Sequence, residues 1–426
     1  MMDLKKLGAG QLEELRSELE CRYGDFKSRN LTLDMTRGKP CPEQLDLSLE
    51  MLNCVNGEHY STRDGVDCRN YGGIDGILEA KELFSRYLEV EPDEIIIGGN
   101  SSLTMMHDTI MSAMVRGVAD SVVPWGTLPR IKFLCPTPGY DRHFSICEYL
   151  HIEMVSVELK EDGPDMDVVE SMVAEDEAVK AIWCVPKYSN PSGITYSDDV
   201  VDRLAHMKTR AEDFRIFWDN AYAVHHLTDT PVRLKNILSA CKRAGNPDRV
   251  FIFGSTSKIT FAGGGVAMMA GSKKNMAFRR QQIAFQTIGP DKLNQLRHVR
   301  FFGDLGGVEN HMRKHATILK PKFDAVQAVF EKELGGKSVA KWTRPEGGYF
   351  VSLDTLDGCA ESVVNMAADA GVKLTPAGTT FPYKKDPRNR NIRIAPSFPP
   401  LEDVAAATEL VAICIQLVSI DKLIER

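Results

Sequence analysis

Apolar positions fall along this chain in two different registers. Between about residues 75 and 290 they form seven short, β-branched runs: EIIIGG (94–99), RIKFLC (130–135), IEMVSVEL (152–159), KAIWCV (180–185), FRIFWD (214–219), RVFIFG (249–254) and GVAMMAG (265–271). Stretches with helical spacing separate them, and such alternation predicts a mostly parallel seven-stranded sheet covered by helices on both faces, an α/β domain. Beyond about residue 310 the register changes to a long helix (ENHMRKHATILKPKFDAVQAVFEKEL), a strand pair around GGYFVSLD, another helix and a last strand at NIRIAP. This predicts a smaller α+β domain completed by the N-terminal segment: 48–309 for the large domain, 1–47 and 310–426 for the small one. Ligands of open α/β sheets gather beyond the carboxyl ends of the strands, so the site is expected there.

Composition narrows the function classes. A chain of 426 residues, 43% hydrophobic and 26% charged, has the length and balance of a globular enzyme. Its net charge of −7 includes no basic block, which argues against nucleic acid as a partner. The N-terminus reads as an acidic amphipathic helix rather than a leader, and no apolar run is expected to reach the roughly 20 residues that span a bilayer. Ten scattered cysteines without a CxxC pair suit reduced thiols, neither disulfides nor zinc. The expectation is a cytoplasmic protein with no membrane partner and no metal.

Polar residues then recur in order at the strand ends: Asn100-Ser101-Ser102, Tyr140, Asn190-Pro191-Ser192-Gly193, Asp219-Asn220-Ala221-Tyr222, Ser255-Thr256-Ser257-Lys258 and Arg393. In this order and spacing the chain resembles the fold-type-I, class I/II aminotransferases, which depend on pyridoxal 5'-phosphate (PLP), over nearly its whole length.

Each member has a chemistry suited to that resemblance. Lys258, one short turn after a strand and among hydroxyls and glycines, can form a Schiff base with a bound aldehyde, and burial would lower its pKa enough to make it a base. Asp219 can face the pyridine nitrogen and keep it protonated. Tyr222 and Asn190 would hydrogen-bond the ring's 3′-oxygen, and Tyr140 would stack on the ring. Ser101 and Ser102 open a helix, where hydroxyls and free N–H groups converge on phosphate, with Ser255 and Ser257 adding contacts. Arg393 resembles the arginine that grips the substrate α-carboxylate as a fork. The segment MTRGKP (35–40), with Arg37 and Gly38, resembles the loop that closes over substrate. The segment NYGGIDGILEAKELF (70–84) implies that Tyr71 reaches the phosphate of a neighbouring subunit, hence a homodimer with shared active sites.

One position departs from the pattern. Many relatives carry a phosphate-binding arginine eight residues after the lysine, where this chain has Val266. Phosphate binding must then lean on hydroxyls, on the Gly263–Gly265 backbone as a nest, and on other cations. This departure, with LDMTRGKP, GGNSSL, PGYDRHF and STSKITFAGGG, resembles a divergent bacterial branch of aspartate aminotransferases. The implied reaction is two-step transamination of an L-amino acid, aspartate foremost, with 2-oxoglutarate. Arg37, Lys39, Arg297 and Arg300 are the candidates for the distal carboxylate of a dicarboxylic substrate. Alanine or aromatic transamination and a β-lyase on the same fold are the alternatives, and a cofactor-binding regulator is the reading from another class, disfavoured because no DNA-binding segment is evident.

Overall fold

The computed structural model describes residues 3–119 and 121–425. Six helices frame the argument: α1 (Ala9–Ser28), α2 (Ser102–Arg116), α3 (Asp141–Tyr149), α4 (Lys292–Phe302), α5 (Leu305–Leu334) and α6 (Leu401–Ile424). The large sheet contains β1 (Ile95–Ile97), β2 (Lys132–Thr137), β3 (Glu153–Lys160), β4 (Gly163–Pro164), β5 (Val179–Cys184), β6 (Arg215–Asp219), β7 (Val250–Ser255) and β8 (Ala267–Gly271). Their spatial order is β1-β8-β7-β6-β5-β2-β3-β4. The links from β7 through β6, β5 and β2 to β3 are parallel, whereas β1–β8, β8–β7 and β3–β4 are antiparallel. All seven apolar runs are strands of this sheet; the eighth member, β4, is a two-residue edge piece, too short to leave a hydrophobic signature.

Alternation of side chains sorts the central strands into two cores. Ile182, Cys184, Ile216, Trp218, Val250, Ile252, Met268 and Ala270 face one side. Ala181, Trp183, Phe217, Phe251, Phe253 and Met269 face the other. Period-two geometry requires this division, and burial on both faces explains the near-continuous apolar character of each run. Phe217 is the hub of the aromatic face, with ring centroids 5.0 Å from Trp183 and 5.8 Å from each of Phe133, Phe251 and Phe253. Truncating such a residue to alanine typically costs about 3–5 kcal/mol.

A third core gathers Leu12, Leu19 and Phe26 of α1, Leu319, Phe323, Val326, Phe330 and Leu334 of α5, and most of α6. It also takes up β10 (Val351–Thr355) and β11 (Asn391–Ile394), which with β9 (Ala340–Trp342) form a three-stranded antiparallel sheet. Helix α5 enters two cores, since Val308 and Met312 near its start pack with the large sheet. One expectation is corrected here: α6, 24 residues with an 18-residue stretch of mean hydropathy 1.7, is long and apolar enough to cross a membrane. Its apolar character is explained by its position, because 78% of that stretch is buried inside the protein and packs on α1 and α5.

Candidate active site

The carboxyl ends of the parallel strands deliver the polar residues to one place. Strand β6 ends in Asp219, buried to 3% exposure. Its Oδ2 accepts a hydrogen bond from His143 Nε2 at 3.0 Å, and its Oδ1 is buried without any partner. His143, on the first turn of α3, lies flat on Trp183 with centroids 4.0 Å apart and planes 5° from parallel. Tyr140, the N-cap of α3, meets the edge of His143 at 4.9 Å. The carboxylate is thus anchored through an imidazole and an indole to the aromatic core. An unpartnered buried polar atom costs about 1–3 kcal/mol, a cost that a donor arriving at Oδ1 would remove.

Lys258 lies in the turn after β7, its Nζ 5.1 Å from the centre of the Tyr222 ring. Burial lowers its pKa below the usual lysine value, opposed by the attraction of Asp219. Burial also pushes the Tyr222 phenol well above its ordinary range. The Lys258 carbonyl accepts from the Tyr349 hydroxyl at 3.3 Å and lies 3.3 Å from His225 Nε2. His225 is held well below the usual histidine pKa, chiefly by burial and then by the charge of Lys258.

Arg393 enters from β11 and is 8% exposed. Its Nη1 donates to Asp141 Oδ1 at 2.9 Å and to Asn190 Oδ1 at 3.4 Å, its Nη2 to Thr375 Oγ1 at 3.2 Å, and its Nε has no partner. The guanidinium also sits 5.0 Å from the centre of the Phe350 ring. Gly38 rests on that same ring: a Cβ there would come within 2.4 Å of Phe350 Cζ, so a larger residue would have to displace the ring. Arg37, beside it, is exposed.

The glycine-rich side is built from backbone and hydroxyls. Ser101 is the N-cap of α2 in extended conformation, but its side chain does not cap, and no acidic residue occupies the first turn. Ser255 Oγ and Ser257 Oγ lie 2.7 Å apart. Asn100 Nδ2 donates to the Gly263 carbonyl at 3.4 Å, and Asn294 Nδ2, on α4, donates to the carbonyls of Gly264 and Gly265 at 3.0 and 2.8 Å. Val266 is 1% exposed, and its N–H donates to Thr256 Oγ1 at 2.8 Å, so this position is sealed into the loop's base.

The sequence-derived residues therefore do not all converge. Lys258, Asp219, Tyr222, Tyr140, Asn190 and Arg393 are tied together by the contacts above, with Ser101 and Ser102 at the start of α2 and Ser255 and Ser257 at the end of β7 and in the turn after it. Tyr71 stands apart at 82% exposure. Of the four cations proposed for a distal carboxylate, Arg300 is removed: its Nη atoms donate to the carbonyls of Cys54, His59 and Ser61. Lys39 stacks over Phe398 at 3.7 Å, while Arg297 bonds Asn294 and keeps a buried Nε without a partner. Sequence reasoning did not find Asp141, Trp183, Tyr349 and His225; the run PGYDRHF at a strand end carried the signal for Asp141 and for His143.

An α/β sheet with a lysine, an aspartate and an arginine converging at its strand ends is the architecture of the aminotransferases. A solved aspartate transaminase from Corynebacterium glutamicum superposes with a TM-score of 0.97 at 44% identity, covering 99% of each chain. The family model for aspartate amino-transferase matches residues 7–426, and the chain belongs to that family. It is similar to a Mycolicibacterium smegmatis chain described only as an aminotransferase (48% identity over 425 residues, 99% of both) and to an aspartate aminotransferase of Corynebacterium glutamicum (45% over 416 residues, 98% and 96%). The protein is thus an enzyme, a transferase of amino groups, with the PLP-transferase fold. The family implies a PLP cofactor, and the residues present fit it: a buried carboxylate oxygen without a partner, a lysine of lowered pKa, and an open helix N-terminus beside paired serines.

Proposed function

We propose that this protein transfers the amino group of an L-amino acid, aspartate foremost, to 2-oxoglutarate by a ping-pong mechanism, using PLP, as a cytoplasmic homodimer. The observation that carries the reading is Asp219, whose Oδ2 is held by His143 while Oδ1 remains buried and free. The bound cofactor supplies an electron sink for the substrate's Cα. Asp219 Oδ1 would hold the proton on the ring nitrogen, and Tyr140 would lie against the ring. Asn190 and Tyr222 would bond the ring hydroxyl. Ser101, Ser102, Ser255 and Ser257 would hold the phosphate, with Tyr71 of a second copy. Lys258 Nζ, whose pKa burial lowers so that the neutral amine is favoured, would carry the cofactor between turnovers, then take the proton leaving Cα and return it during product formation.

Arg393, oriented by Asp141 and Asn190, would grip the α-carboxylate, with Gly38 and Arg37 closing above it. The residues 48–309, against 1–47 with 310–426, would move as two bodies during that closure. The substrate preference rests on the relative named as an aspartate aminotransferase; no observation favours alanine, an aromatic substrate or β-elimination. The test is to load the protein with PLP and mix it separately with aspartate, glutamate, alanine and phenylalanine while following the cofactor's absorbance. Conversion by aspartate and glutamate alone is the expected result; conversion by none would overturn the assignment.

A further inference from the structure

Lys292 is 4% exposed, yet among the described residues its ammonium bonds no carboxylate. It donates to the carbonyl of Asn70 at 2.5 Å and to that of Gly72 at 2.7 Å, the two residues flanking Tyr71. It is also the first residue of α4, where the helix dipole disfavours a cation. Helix stability therefore does not explain this lysine, whereas the two carbonyls do. The loop is fixed in other ways as well. Gly72 and Gly73 have φ of +101° and +70°, a conformation open to glycine at little strain. Gly289 closes against them so tightly that a Cβ there would come within 2.6 Å of the Gly72 carbonyl oxygen. The outcome of this rigid construction is a tyrosine held 82% exposed.

The segment leading to Gly289 exposes Phe285 to 94% and Ile288 to 64%, and α2 exposes Val115 to 62%. Val115 and Phe285 line an open groove of about 530 Å³. Exposed apolar side chains lining an open groove, carried in part by the segment that closes on the Tyr71 loop, suit a second copy of this chain. The first turn of α4 also carries Asn294, which holds the carbonyls of Gly264 and Gly265 in its own site.

We propose that Lys292 is a positioning residue acting across the subunit boundary: it clamps the loop so that Tyr71 is presented to the cofactor phosphate of the neighbouring copy. This rests on the reading that Tyr71 acts in trans. The experiment titrates the apo-enzymes with PLP by absorbance, comparing Tyr71→Phe, Lys292→Met and the double variant, with dimer mass checked by sedimentation. One lost hydrogen bond to a charged group is worth about 1.5–3 kcal/mol, so each single variant should weaken PLP affinity roughly tenfold or more. The double variant should be no weaker than the weaker single one.

Co-expressed heterodimers of Lys258→Ala with Lys292→Met give the decisive readout. Their one site retaining Lys258 receives Tyr71 from a subunit with an intact Lys292, so it should bind PLP with wild-type affinity. Affinity as weak as in the Lys292→Met homodimer would place the lysine's effect within its own subunit and overturn the proposal. So would unchanged affinity in the Lys292→Met homodimer alongside weakened Tyr71→Phe. Unchanged affinity in Tyr71→Phe would instead overturn the reading of Tyr71, whatever Lys292→Met does. If Lys292→Met yields no dimer, Lys292→Gln, which can still donate to a single carbonyl, is expected to bind PLP more weakly than wild type; wild-type affinity in Lys292→Gln would overturn the clamp.

Discussion

The two ends of the cofactor site are built differently. On the side of Asp219 every group is anchored to the sheet: Asp219 is bonded to His143, His143 is stacked on Trp183, and Trp183 is packed on Phe217, all buried to 3% exposure or less. On the glycine-rich side the parts are an uncapped helix end, two serines and carbonyls held by Asn100 and Asn294, with a sealed valine at position 266. The difference teaches that the scaffold around Asp219 is complete within one chain. The phosphate end is left open, and under the proposed reading the tyrosine held by Lys292 would close it from another copy.

Substitutions test this contrast, the largest effect first. Asp219→Ala should lower kcat about 10²–10³-fold, the usual scale for one preorganised electrostatic contact, with PLP still bound. Equal losses in kcat from Ser255→Ala would erase the contrast. Arg393→Lys loses the fork, and with charge-assisted bonds worth about 1.5–3 kcal/mol, KM for the amino acid should rise about 10–100-fold in steady-state kinetics. His143→Gln removes the anchor of Asp219 but leaves the carboxylate, so kcat should fall about tenfold with KM little changed. A larger loss than in Asp219→Ala would show that His143 has a role of its own.

The smallest effect concerns the base of the glycine-rich loop. His298 is fully buried, donates through Nδ1 to the Asn294 carbonyl, and accepts at Nε2 from the hydroxyls of Thr256 and Thr260. Burial, opposed by that backbone bond, lowers its pKa from 6.5 to about 4. Because the folded state takes up this proton less readily than the unfolded chain, the stability it protects is complete above about pH 6.5. It is lost as pH falls from there to about 4, by about 3 kcal/mol at most. His298→Gln should flatten the fall of Tm over that interval in calorimetry; an unchanged slope would remove His298 as its source.

Much of this was legible along the chain. Seven strands and the residues at their ends could be read because buried strands leave continuous apolar runs and the chemistry follows directly after them. What could not be read depends on long-range proximity. His143 and Asp219 lie 76 positions apart, Asp141 and Arg393 lie 252 apart, and no local pattern joins them. Gly38 was read as part of a closing loop, but its fit over Phe350 appears only when the N-terminal segment packs on the small sheet. Helix α6 shows the opposite error: several polar residues interrupted its apolar run, yet its averaged hydropathy reaches that of a membrane span because nearly all its faces are buried.

The central claim is that Lys258 carries the cofactor opposite Asp219, and borohydride reduction of the PLP-loaded enzyme followed by peptide mass spectrometry tests it most directly. The account predicts a phosphopyridoxyl group on Lys258 and its disappearance in Lys258→Ala. Attachment to another lysine, with Lys258 unmodified, would contradict it.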